Sequence, residues 1–278
     1  MIREVAGRQN HSVKLARKLQ QKKYRRDRGL LVCEGLDLLS AAVDGDAEIR
    51  DVLVRSDLVD HLPGVLVERA KRSGAEGEGP DIGVCDEATV AYASSLGGAA
   101  DVIFTCVQPR ASLVDLELGS GTTLFLEGVG DPGNVGTIIR SALAFGLEGV
   151  VCSPGTADPF GPKAMRAGMG SQFSLRVVTE VTSADLLARL AVLEGRGASR
   201  PEIWVADPHH GEDVGEASGT HGVIVVLGAE RSGPGEAWQN ARRVTIPHER
   251  VDSLNVAMAG TVFAYESWRK RREGAGGN

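Results

Sequence analysis

Short apolar runs alternate with amphipathic stretches along most of this chain, the pattern of strands and helices laid down in turn. In the first part LLVCEG, IRDVLVR, GVC and VIFTCVQ read as strands and LDLLSAAV as a helix. Ahead of them, SVKLARKLQQKKYRRDR at residues 12–28 holds good helix formers and meets no breaker before Gly29, so one continuous helix is predicted there. The segment Gly74 to Pro80, GAEGEGP, predicts a surface loop. A second break falls between Pro109 and Gly121. Beyond it TTLFLE, GVVCS, LRVVTEV, EIWVAD, GVIVVLG and RRVTIP alternate with helices over NVGTIIRSALAF, PKAMRAG and SADLLARLAVL.

These patterns predict an α/β protein whose carboxyl-terminal half carries a mostly parallel sheet covered on both faces, preceded by a smaller α/β domain. The boundaries expected are a first domain over 1–108, a linker over 109–120, a second domain over 121–272 and a tail over 273–278. A closing helix is predicted from about Ser253 to Arg272, with Leu254, Met258, Thr261, Tyr265 and Trp268 as its apolar packing seam. No internal repeat stands out.

Composition changes this picture little. With 42% hydrophobic and 24% charged residues, a disordered or fibrous chain is excluded. The absence of a long apolar run or a leader-like start points to a cytoplasmic protein with no membrane partner. Cys33, Cys85, Cys106 and Cys152 are too far apart for a Cys-x-x-Cys pair and read as buried free thiols.

Charge changes it more. The net charge is −6, yet residues 1–28 hold ten Lys and Arg against two acids, a local +8. On a continuous helix Lys14, Lys18, Lys22 and Arg25 fall on one cationic stripe, the arrangement that neutralises successive phosphates of a nucleic acid. The basic end of the last helix, Arg269 to Arg272, suits the negative helix terminus and is the next candidate for such contacts.

Two chemical motifs fail on inspection. Gly128-Val129-Gly130-Asp131-Pro132-Gly133 spells the glycine pattern of a dinucleotide-binding turn, but the next strand, VVCSPG, ends without the acidic residue that holds a ribose, and Pro132 removes an amide from the turn. Asp207, His209, His210, Glu212 and Asp213 crowd into one loop without metal-ligand spacing, so no metal is expected.

Three further segments gain meaning together. The first, Asp131 to Ala142, is a helix start that buries Ile138, Ala142 and Phe145 and turns Arg140 elsewhere. The second, Val226 to Gly235, runs an apolar strand into a glycine-rich loop with one carboxylate, Glu230. The third, Ile246 to Val256, leads a strand through Ser253 and Asn255 into the last helix. Their order and content, N-x-G-x-x-x-R, L-G-x-E-x-x-G and I-P followed by S-L-N-V, resemble the three motifs of the SpoU (TrmH-like) class of SPOUT RNA methyltransferases over about residues 121–272. The amino-terminal part, KLARKLQQKKYRRDRGLLVCEG, is similar to the ribosomal-protein-like RNA-binding domain of many rRNA-modifying members.

The resemblance implies a deep trefoil knot, a homodimer with its active site at the subunit interface, and S-adenosylmethionine as cofactor. It implies transfer of a methyl group to a ribose 2′-hydroxyl of structured RNA, ribosomal RNA before tRNA. The alternative is an RNA-binding protein that keeps the fold without turnover. By position, Asn134, Arg140, Glu230, Ser253 and Asn255 match catalytic residues, and Leu227, Gly228, Ile246 and Leu254 match the cofactor pocket. Lys14, Lys18, Lys22 and Arg25 are the RNA-binding candidates. Family members usually carry Gly where Arg250 stands and commonly Met where His248 stands.

Overall fold

The structure is a computed structural model that describes residues 1–76, 79–95, 100–219, 222–229 and 233–275. The chain forms two compact units, Met1–Pro109 with Phe160–Phe173, and Arg110–Pro159 with Ser174–Asn278.

The first unit is built on β1 (Ile2–Glu4), β2 (Leu30–Glu34), β3 (Ile49–Arg55), β4 (Asp81–Cys85) and β5 (Val102–Val107), in the order β1-β4-β3-β5-β2. β4 runs parallel to β1 and β3, whereas β5 runs antiparallel to β3 and β2. Its helices are α1 (His11–Leu19), α2 (Lys22–Arg28), α3 (Leu36–Asp44), α4 (Gly64–Glu76) and α5 (Glu87–Ala93). Val13, Leu15, Ala16 and Leu19 of α1 are buried in a core with Val32, Leu53, Val90 and Ile103.

Residues 12–28 thus form two helices, correcting the single one predicted. The reason is Arg25. It is buried, and its Nη1 donates to the carbonyls of Leu19 at 2.8 Å and Gln20 at 2.9 Å, the last acceptors of α1. A break at Gln20–Gln21 lets α2 fold back far enough for that bond, and α2 then ends at Gly29 in a left-handed conformation. Of the loop expected from Gly74 to Pro80, Gly74 to Glu76 belong to α4, and residues 77–78 lie outside the described residues. The unit also includes α7 (Pro162–Ala167) and Phe173, whose ring centroid lies 6.4 Å from that of Phe104.

The second unit holds β6 (Thr122–Glu127), β7 (Gly149–Cys152), β8 (Val177–Val178), β9 (Glu202–Ala206), β10 (Glu212–Asp213), β11 (Val223–Gly228) and β12 (Arg242–Thr245). All pairings are parallel, in the order β10-β12-β9-β11-β6-β7-β8, as the alternating pattern predicts. The helices are α6 (Pro132–Ala144), α8 (Ser183–Gly195) and α9 (Val256–Ala275). The expected linker is part of this core, with Leu116 and Leu118 buried. The expected tail begins inside α9.

α9 starts after Ser253 and Leu254, and its packing face is not the one predicted. Val256, Ala257, Phe263 and Ala264 are buried, whereas Met258 and Tyr265 are 52% and 42% exposed. The buried residues are mostly small, so α9 lies close to α6, where the hydroxyls of Ser141 and Thr261 meet at 2.7 Å. Phe145, expected in the core, is half-buried at the end of α6, where its ring meets Tyr265 edge-on and Trp268 at a tilt. All four cysteines are free and buried, as expected, and burial pushes the Cys152 thiol up to about 12.

Candidate functional site

β6 and β11 are neighbours, yet the chain leaves them in opposite directions, from β6 through α6 to β7 on one side and from β11 to β12 on the other. Such a switch opens a crevice at the carboxyl ends of parallel strands, where open α/β sheets bind ligands. The loops that leave these ends contain the three segments singled out in the sequence.

Asp131 caps α6. Its Oδ1 accepts from the amides of Gly133 at 2.7 Å and Asn134 at 3.0 Å. Pro132 takes the first helical position, where its missing N–H costs nothing. This cap excludes the dinucleotide reading, because a carboxylate already occupies the helix terminus that a pyrophosphate would need.

Asn255 caps α9 in the same way, its Oδ1 accepting from Ala257 N at 2.8 Å and Met258 N at 3.3 Å. Its Nδ2 donates to Asn134 Oδ1 at 3.2 Å. One side chain therefore starts the last helix and ties the β12–α9 loop to the start of α6. Two of the expected catalytic residues meet in this bond. Ser253 is exposed two residues upstream. Glu230 lies outside the described residues.

Arg140 is exposed and stands apart from that pair. Six residues separate it from Asn134, about 9 Å along the helix and roughly 120° around it. It shares its face with Leu143 and Ala144, both exposed.

The expected cofactor residues line the same end of the sheet. Leu227 is buried at the end of β11, Ile246 and Leu254 are half-buried, and Gly228 pairs with Glu127 of β6. A Cβ on Gly228 would stand 2.4 Å from the backbone of Gly233, so only glycine lets the loop fold back there. Buried and half-buried aliphatic side chains among backbone groups suit the neutral adenine ring of S-adenosylmethionine, so this set fits the cofactor.

One residue, Glu127, and the backbone conformation of another, Arg250, escaped the sequence reading. Glu127, at the end of β6, accepts through Oε2 from Gly235 N at 2.7 Å and Trp238 Nε1 at 3.0 Å, pinning the far end of the loop that contains Glu230. Its position at the carboxyl end of a strand was the only available signal. Arg250 adopts φ of +65°, a left-handed conformation that costs a residue with a Cβ about 1–2 kcal/mol. Glycine, the residue that the family resemblance leads one to expect there, adopts this φ without that cost.

The other candidates sort cleanly. Lys14, Lys18 and Lys22 are exposed, but Arg25 is turned inward on carbonyls, so the expected cationic stripe ends at Lys22. The basic end of α9 is engaged internally: Arg269 with Glu266 and Glu273, Lys270 with Val214 O and Ala217 O, Arg271 with Phe145 O and Gly146 O. Asp207 is held below the ordinary carboxylate range: burial opposes this, but the His209 and His210 amides and Arg243 outweigh it. Among the described residues no cluster can hold a metal ion, and no helix is long and apolar enough to cross a membrane.

Fold and site together define a parallel α/β unit with a ligand crevice at its switch point and an asparagine pair at the crevice edge. Residues 121–265 match the model of the SpoU rRNA Methylase family, and residues 10–90 match the MRM3-like substrate binding domain. The chain belongs to the SpoU rRNA methylase family. It is 26% identical to the 23S rRNA (guanosine(2553)-2′-O)-methyltransferase RlmP of Bacillus subtilis, over 95% of this chain and 98% of that protein. It is 35% identical over 147 residues to the 23S rRNA (uridine(2479)-2′-O)-methyltransferase of Streptomyces viridochromogenes, a match spanning 51% of this chain and 50% of that protein. An AdoMet-bound rRNA methyltransferase from Sinorhizobium meliloti superposes with a TM-score of 0.79 at 27% identity, covering 97% of this chain and 98% of that one.

Proposed function

We propose that this protein transfers a methyl group from S-adenosylmethionine to a ribose 2′-hydroxyl of ribosomal RNA. The observation that carries the reading is the Asn255–Asn134 bond, which joins two of the three motif segments. When bound, the cofactor supplies an electrophilic methyl attached to a sulfonium. Leu227, Gly228, Ile246 and Leu254 would hold it, and the loop that contains Ser253 would border the transfer site.

A ribose hydroxyl is a weak nucleophile at neutral pH, so its alkoxide character must be stabilised. We assign that role to Arg140, whose fixed positive charge lowers the cost of the developing anion and grips the adjoining phosphate. Glu230, Ser253 and Asn255 orient the target nucleotide in this reading.

Arg140 faces away from its own Asn134–Asn255 pair and lies among exposed Leu143 and Ala144, while α9 leaves Met258 and Tyr265 exposed. We infer that this face takes a second copy of the chain and that Arg140 serves the partner's site. The β12–α9 loop, tied down by Asn255, is the segment that a trefoil knot would thread. We further propose that the protein works in the cytoplasm and that the exposed lysines of α1 and α2 supply RNA affinity.

The test is mass spectrometric mapping of ribose methylation on in-vitro-transcribed 23S rRNA incubated with the protein and S-adenosylmethionine. A new 2′-O-methyl group supports the reading. RNA and cofactor binding without methylation would establish the non-catalytic alternative instead.

A further inference from the structure

Beside the lysines of α1 the first unit holds a second cationic feature, assembled from three separate segments of chain. Arg8, ahead of α1, lies with its guanidinium carbon 4.6 Å from the centroid of the Tyr92 ring. Arg17, on α1, lies 4.2 Å from the same centroid and donates through Nη1 to the Tyr92 carbonyl at 2.6 Å. Both arginines are exposed, and among the described residues neither has an acidic partner.

The platform is held in place from below. Buried Glu34 accepts from Ser94 Oγ at 2.7 Å, Ser95 N at 2.8 Å, Ser95 Oγ at 2.7 Å and Gln20 Nε2 at 3.0 Å. Those bonds fix the turn directly after Tyr92 and the residue that ends α1. The ring and the Arg17 backbone are therefore set by one buried carboxylate.

Two unpaired guanidiniums on one ring repel each other, and on an ordinary surface they would separate or find carboxylates. Contact with the ring holds the two guanidiniums, and apart from the Arg17 Nη1 bond to the Tyr92 carbonyl their N–H groups remain available for phosphate oxygens. We propose that Arg8 and Arg17, held on Tyr92, form a preorganised grip for two phosphates of the RNA backbone, distinct from the lysine face of α1. This rests on the reading of RNA as substrate and adds to it a specific point of purchase.

The experiment uses the full chain, with 23S rRNA transcript as probe and fluorescence anisotropy at several salt concentrations. Replacing both arginines by Gln should flatten the slope of log affinity against log salt by roughly 1.5, from two contacts at about 0.7–0.9 each. Tyr92→Leu should keep most of the slope but weaken binding about threefold to tenfold, because the guanidiniums lose their fixed position. Tyr92→Phe retains the ring and should bind as the parent does. In methylation assays the double arginine variant should raise KM for RNA and leave kcat and calorimetric S-adenosylmethionine binding unchanged.

An unchanged salt slope in a double variant of parental melting temperature overturns the proposal. So does parental affinity in Tyr92→Leu. Failure of the methyltransferase reading would look different: the parent would bind RNA without methylating it, and the slopes would still decide whether the arginine pair grips phosphate.

Discussion

Arg140 is exposed, and its helix buries a different set, Val135, Ile138, Ile139 and Ala142. Arg140→Ala is therefore expected to keep the parental melting temperature and cofactor affinity while lowering the methylation rate by on the order of 10²–10³, the effect of losing one charge-stabilising donor. Single-turnover kinetics at saturating RNA checks this, and a parental rate would remove Arg140 from the mechanism. Arg250 makes the opposite case. Its left-handed φ of +65° is a strain that glycine lacks, so Arg250→Gly is expected to stabilise the protein by about 0.5–1 kcal/mol in urea unfolding. A loss of stability instead would mean that the guanidinium makes a contact worth more than the strain.

Elements show where sequence patterns carry information and where they lose it. Six of the seven strands of the second sheet were legible, most plainly where a parallel strand buried on both faces is an unbroken apolar run, as VIVVLG of β11 is, whereas β10, the exposed Glu212–Asp213, carries no such run. The break between α1 and α2 was not legible, because Gln20 and Gln21 are ordinary helix formers and the deciding force is the buried bond from Arg25 to the end of α1. The same loss of information hid the orientation of α9, since Met258, Thr261, Tyr265 and Trp268 repeat at helical spacing whichever neighbour covers them. Asn134 and Asn255 were legible only through resemblance, since no local pattern brings together residues 121 positions apart in the chain. Arg25 also gives a prediction at this scale. Arg25→Gln is expected to destabilise the first unit by about 1–3 kcal/mol, because two helix-end carbonyls lose their donor. RNA affinity measured on the folded variant should keep the parental salt slope, whereas Lys14→Gln with Lys18→Gln should flatten it by roughly 1.5.

At the scale of the whole molecule, acid sensitivity and assembly follow from groups already described. Burial opposes ionisation of Glu34, but the donors from Ser95, Ser94 and Gln20 outweigh it and hold its carboxyl below the usual range. A depressed folded-state value stabilises the fold above the unfolded-state value of 4.5, and that contribution is lost as the pH falls through the folded-state value. Replacing Glu34 by Gln should thus make unfolding of the first unit less steep in pH below about 4.5, checked by urea titrations across that range. The second consequence concerns the second unit. Leu143, Met258 and Tyr265 are exposed, and the role proposed for Arg140 needs a site other than the Asn134–Asn255 pair of its own chain. The proposed two-fold pairing would cover these residues and give each Arg140 the crevice of the other chain. Met258→Glu together with Tyr265→Glu is expected to yield a folded monomer by sedimentation velocity, with methylation lost although Arg140 and the asparagine pair remain. Mixing an Arg140→Ala chain with a chain disabled by Asn134→Ala should restore part of the activity, because one of the two sites in the mixed dimer is then built only from intact residues. A parent that sediments as a monomer at assay concentrations, or a mixture with no recovery, would return Arg140 to its own protomer and leave the exposed face without a role in the reaction.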